Sequence, residues 1–77
     1  MKQSKAIDLV VLEYERATKL FGPFASRHEG YAILLEEMDE LKEVVWKNQP
    51  DERLEEEVKQ VAAMAVRFLI DCIKEEE

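Results

Sequence analysis

Helix-breaking residues are scarce in this chain. Its 77 residues hold two glycines and two prolines, at Gly22, Pro23, Gly30 and Pro50. Hairpins and closely spaced turns depend on such residues. Long helices joined by two short connections are therefore the architecture that the sequence allows. The first helix is predicted from about Ser4, a suitable N-cap, to Leu20. Gly22 and Pro23 end it and turn the chain. Ser26 followed by Glu29 forms a capping box, so a second helix is predicted to start there and run to Trp46. The polar stretch around Pro50 gives a short turn. Asp51 is then expected to cap a third helix that reaches about Lys74, with the acidic tail Glu75–Glu77 fraying. The expected fold is all-α: one domain over 1–77, with three antiparallel helices.

A chain this short buries too little surface alone to be comfortably stable. Cys72 is its single cysteine, so no disulfide can staple it and no zinc-ligand spacing exists. Self-association is the remaining route to a larger core. On the first helix Ile7, Val10, Val11, Tyr14, Ala17 and Phe21 build one apolar face, while Leu9, Leu12 and Leu20 fall elsewhere. That surplus points to a dimer or a tetramer built from dimers, completing a four-helix-bundle type of core. An unpaired cysteine suits a reducing cytoplasm. The formal net charge of −7 opposes binding to a nucleic acid duplex or to an anionic membrane, both of which call for Lys and Arg. No stretch reads as a signal peptide or a membrane span. An acidic protein can still take a phosphate if a divalent cation bridges the like charges.

The carboxylates of the second helix are of two kinds. With Leu34 at zero on a helical wheel, Met38, Leu41 and Val45 cluster around it, and Ile33 and Val44 lie at about 260° and 280°. Glu37 lies at about 300°, inside this apolar arc, with Glu40 beside it at about 240°. Glu36, Asp39 and Glu43 point the other way and form a solvated face. The third helix repeats the arrangement. Its stripe is Leu54, Val58, Val61, Ala65, Phe68 and Cys72; Glu57 falls at about 300° and Gln60 at about 240°. "LLEEMDEL" at Leu34–Leu41 thus matches "LEEEVKQV" at Leu54–Val61 position for position. Antiparallel packing brings Glu37, Glu40, Glu57 and Gln60 into one inward-facing cluster. A buried carboxylate needs a cation, a donor or a proton. Two readings stay open: a site for a hard cation, Mg²⁺ or Mn²⁺, held by oxygen ligands, or a polar cluster neutralised by Arg67, by lysine or by protonation.

The pattern Glu37-x-x-Glu40 on one helix and Glu57-x-x-Gln60 on the next, over Ser26–Asp71, resembles the MazG-like all-α nucleoside triphosphate pyrophosphatases. That family carries E-x-x-E followed by E-x-x-D. "HEGYAILLEEMDEL" also looks like small phage-associated and bacterial members. The resemblance implies that Glu37, Glu40 and Glu57 are the metal ligands and catalytic carboxylates. It also implies that Glu36 or Glu40 orients a water, and that the reaction converts a nucleoside triphosphate to a monophosphate and pyrophosphate. Gln60 departs from the pattern. Its amide ligates without bringing negative charge, which implies weaker metal binding, or one ion where the family holds two, and reduced activity.

Arg67 has two roles open to it: an i,i+4 ion pair with Asp71, or contact with a phosphate. With Gln60 and Arg67 on one face, a second function competes: a protein that binds a nucleotide without hydrolysing it. A third is a helical oligomerisation module whose polar cluster sets register. Tyr31, one turn before Leu35, is a candidate to stack on a base, joining Gln60 and Arg67 as substrate-binding residues. Trp46 reads as packing, Phe21 and Phe24 as lid or interface residues, His28 as a surface residue near the helix start, and Cys72 as a small core hydrophobe.

Overall fold

The computed structural model describes residues 1–75. Among them are three helices and no strand: α1 Gln3–Leu20, α2 Arg27–Trp46 and α3 Asp51–Cys72. The helix ends follow local chemistry. Ser26 Oγ accepts from the Glu29 amide at 3.1 Å, and the Glu29 carboxylate reaches back to the Ala25 amide at 3.1 Å. This is a capping box shifted by one residue on its return bond. α2 closes in a Schellman turn. The Gln49 amide donates to Val44 O and the Asn48 amide to Val45 O, with Asn48 at φ 50°. Asparagine tolerates that left-handed conformation where glycine is the more usual choice. Asp51 is the first residue inside α3 rather than its cap; Pro50 holds the cap position, and no side chain caps it. α3 stops at Cys72, two residues short of the predicted end. The predicted fraying of the acidic tail concerns Glu75–Glu77, of which Glu76 and Glu77 lie outside the described residues.

α3 is the central element. α1 and α2 each pack on it and not on each other. α2 runs antiparallel to α3, so Glu40 and Val44 meet Arg53 and Glu57 across one groove. α1 runs parallel to α3, so Ala6 and Val10 lie beside Leu54 and Val58, and Gly22, just beyond α1, meets Arg67. α1 and α2, though successive in the chain, are not packed neighbours. The connection between them crosses α3 instead. Phe24 is buried there, edge-on to Phe68 with ring centroids 6.2 Å apart, and its amide donates to Asp71 Oδ2 at 3.0 Å. Gly30 permits this, because a Cβ there would stand 3.2 Å from the Phe24 ring and 3.3 Å from that of Phe68.

The core is small. Ala17, Phe24, Ala63 and Met64 are buried, with Tyr14, Ile33, Leu34, Phe68 and Cys72 packed partly against them. The alanines of α3 allow the close helix approach expected of "VAAMAV". On α2 the buried face is centred on Ile33, Glu37 and Val44, so Met38 and Val45 stay exposed. On α1, Ile7, Val11, Leu12 and Leu20 are exposed as well, and so is Phe21 just beyond its end. Trp46 is exposed with Lys42 Nζ 5.9 Å above its ring, which corrects its reading as a packing residue. The accessible surface is 6170 Å², roughly 1,300 Å² more than a compact 9.0 kDa chain exposes. No helix among the described residues is long and apolar enough to cross a membrane.

Candidate metal and nucleotide site

Antiparallel packing of α2 on α3 sets the two matched segments face to face. Oxygens of Glu37, Glu40 and Glu57 then lie within 4.8 Å of one another. Glu57 is only 5% exposed, Glu37 is partly buried, and Glu40 sits at the rim. Arg53 Nη2 donates to Glu57 Oε1 at 3.0 Å, an i,i+4 pair along α3. Glu57 Oε2 and Glu37 Oε2 are buried with no hydrogen-bond partner. Burial, then the charges of Glu40 and Glu57, push the Glu37 carboxyl up to about 7. Burial and Glu40 also raise Glu57, against the pull of Arg53. The charged groups that raise Glu37 are all carboxylates, Glu13 of α1 among them. Three carboxylates share one nearby guanidinium, so the cluster lacks positive charge. Its unpartnered oxygens suit a hard cation or bound protons.

The cluster forms a partition between two cavities. On one side Glu40, Glu57 and Arg53 line a space of about 520 Å³. On the other, Glu37 lines a larger one of about 650 Å³, opened by the separation of α1 from α2 above α3. Gln60 and Arg67 from α3 and the Phe21–Phe24 connection share that larger cavity. Its volume falls in the range of small-molecule sites. Comparison of the chain with protein families, with curated proteins and with solved structures finds no match. What the chain binds must therefore be argued from these side chains.

Glu37, Glu40 and Glu57 come together as the wheel projections predict, and Gln60 and Arg67 reach the cavity that Glu37 lines. Tyr31 does not: it is 62% exposed and outside both cavities. Arg67 makes no ion pair with Asp71. Asp71 accepts from the Phe24 amide, while Arg67 Nη2 donates to Gly22 O at 2.7 Å and the guanidinium carbon lies 4.6 Å from the Phe24 ring centroid. Both side chains face the connection rather than each other. His28 is exposed, as expected. Arg53, Glu13 and its partner Arg16 are site residues that the sequence analysis does not single out. Arg53 was legible as the i−4 partner of Glu57. Glu13, 6% exposed, lines the larger cavity and is held by Arg16 at 2.6 Å. Glu13 also obeys the wheel rule applied to Glu37, since it lies within about 60° of Val10, between Ala17 and Leu9.

Proposed function

We propose that the chain is a metal-dependent nucleoside triphosphate pyrophosphohydrolase of MazG-like type, with activity reduced by the uncharged Gln60. One observation carries the reading: carboxylates from two matched, facing helices converge within 4.8 Å, and two of their buried oxygens have no partner. Those residues fit a hard cation. Glu37, Glu40 and Glu57 would hold Mg²⁺ or Mn²⁺, which when bound supplies charge neutralisation, alignment of the phosphates and a more acidic water. The chain's own residues do the rest. Glu40, at the rim, accepts the proton of the attacking water. One P–O bond to water forms, the α–β phosphoanhydride P–O bond breaks, and a nucleoside monophosphate and pyrophosphate leave. Gln60 offers the ligand an amide oxygen and two N–H donors.

The exposed apolar faces of α1 and α2 and the surplus surface support assembly with a second copy, as a dimer or a tetramer. The free Cys72 supports a reducing, cytoplasmic setting. The test is pyrophosphate release from a panel of ribo- and deoxynucleoside triphosphates with Mg²⁺, in wild type and in Glu57→Gln. Turnover that disappears in the variant is the expected result; no turnover on any nucleotide sinks the hydrolase. A second reading, nucleotide binding without hydrolysis, is favoured by Gln60 and Arg67 lining the cavity in place of further acids. Calorimetry without any nucleotide binding, with or without metal, disposes of that reading. It leaves the cluster as a device for setting helix register.

A further inference from the structure

Arg67 is a buried cation without a counter-ion. It is 3% exposed, and among the described residues it takes part in none of the ion pairs. Its five N–H donors are poorly served. Nη2 has the Gly22 carbonyl, Nη1 meets only the Met64 sulfur at 3.5 Å, and Nε has no partner. Asp71, one turn further along α3, is already committed to the Phe24 amide. Anchoring the connection explains the bond to Gly22 and the stacking on Phe24. A neutral donor would do as much without the cost of burying a charge. The guanidinium lines the larger cavity, and so does Arg16, whose side chain is 54% exposed.

We propose that Arg67 is an anion-binding residue: the larger cavity takes a phosphate or pyrophosphate group against its guanidinium, with Arg16 as a second cation at the rim. The inference rests on the nucleotide reading only for the source of that phosphate; it does not require a metal. It divides the site chemically. The carboxylates of Glu37, Glu40 and Glu57 call for a cation, and Arg67, on α3 where Gly22 and Phe24 cover it, calls for an anion. A planar guanidinium with an unpartnered N–H and a neighbouring donor matches phosphate oxygens in a way that lysine does not. The acids of the same cavity, Glu13 and Glu37 above all, oppose the anion, so binding without metal is weak and strengthens when one of them is neutralised.

The experiment is an NMR titration of the full chain with sodium pyrophosphate in EDTA, following the Gly22 and Phe24 amides, in wild type, Glu37→Gln, Arg67→Lys and Arg67→Gln. The expected result is saturable shifts in wild type and tighter binding in Glu37→Gln. Arg67→Gln should weaken binding at least about tenfold, as loss of a charge-assisted hydrogen bond does, and Arg67→Lys should restore it only in part. A nucleoside without phosphate should leave these amides in place, and a nucleoside triphosphate should move them as pyrophosphate does. Wild type and Glu37→Gln both without saturable shifts overturn the proposal, whether or not the Arg67 variants fold. Shifts that persist unchanged in a folded Arg67→Gln overturn it too. Mn²⁺ titration in parallel separates the two readings. Pyrophosphate binding without Mn²⁺ binding defeats the metal site alone, and Mn²⁺ binding without metal-free pyrophosphate binding defeats this inference alone.

Discussion

Glu37→Gln is expected to stabilise the protein in EDTA at pH 8 and to flatten the dependence of its stability on pH. Glu37 titrates at about 7 in the folded chain, against 4.5 for a free glutamate. A raised carboxyl pKa means that the folded state holds a proton which the unfolded state has released. The stability attached to that proton is complete below pH 4.5, declines as the pH rises, and is gone above about pH 7. Taken at face value, the shift corresponds to about 3 kcal/mol. Glu37 is only partly buried, so solvent screening brings the effect down to roughly 1 to 2 kcal/mol. Glutamine keeps the shape and cannot ionise, so the variant should gain that amount at pH 8. In a domain this small the gain is roughly 6 to 12 °C in Tm. Thermal and urea unfolding at pH 5 and pH 8, at one fixed protein concentration, measure it. Mg²⁺ provides the complementary arm. At about one hundred times its Kd it should add about 2.7 kcal/mol to wild type at pH 8 and little to the variant. A wild type equally stable at pH 5 and pH 8, or a variant less stable than wild type at pH 8, would refute the argument that Glu37 is a carboxylate waiting for a cation.

Gln60→Asp is expected to tighten Mn²⁺ binding and to raise any pyrophosphohydrolase activity, because it adds a charged oxygen to the wall of the Glu37 cavity; calorimetry and pyrophosphate release read both. Asp71→Ala, which removes the 3.0 Å acceptor of the Phe24 amide, should cost roughly 1 to 3 kcal/mol and speed hydrogen exchange at that amide. Ser26→Ala should lose about 1 kcal/mol in urea unfolding, since its hydroxyl caps α2. Gly30→Ala should be destabilising by roughly 1 to 2 kcal/mol despite the better helix propensity of alanine. Phe24, 3.2 Å from the added methyl, is fixed by Asp71 and Arg67 and cannot retreat.

The carboxylate cluster was legible in the sequence for a simple reason. A period of 3.6 residues places Glu37 and Glu57 within apolar arcs, and two short connections force the two arcs toward one helix pair. The same rule places Glu13 on the buried face of α1, where the apolar pattern alone does not mark it. Tyr31 was misplaced by the opposite neglect. It lies near the cluster along the axis of α2 but about 120° from Glu37 around it, and only the angle decides what a helical side chain can touch. The buried face of α2 was misjudged because its apolar arc is a sum of two faces. One packs on α3, and the other, with Met38 and Val45, has no partner within the chain. Periodicity reports the sum and cannot divide it.

Arg67 and Asp71 show the deeper limit. Their i,i+4 spacing suggests a pair closed on itself. In the fold each reaches instead to the Phe21–Ser26 connection, some forty-five residues away: Arg67 to Gly22 and Asp71 to Phe24. Local spacing holds no trace of such contacts, yet they create the site. By pinning the connection across α3 they seat α1 and α2 apart, and the gap between those helices is the cavity that Glu37, Gln60 and Arg67 line. Had Arg67 and Asp71 paired with one another, Phe24 would be held over α3 by its packing on Phe68 alone, and the connection would lose both of its polar ties to α3. Arg67 both ties the connection to α3 and lines the cavity, which links anion binding to the position of the connection. An anion at Arg67 should therefore slow exchange at the Phe24 amide even in the absence of metal.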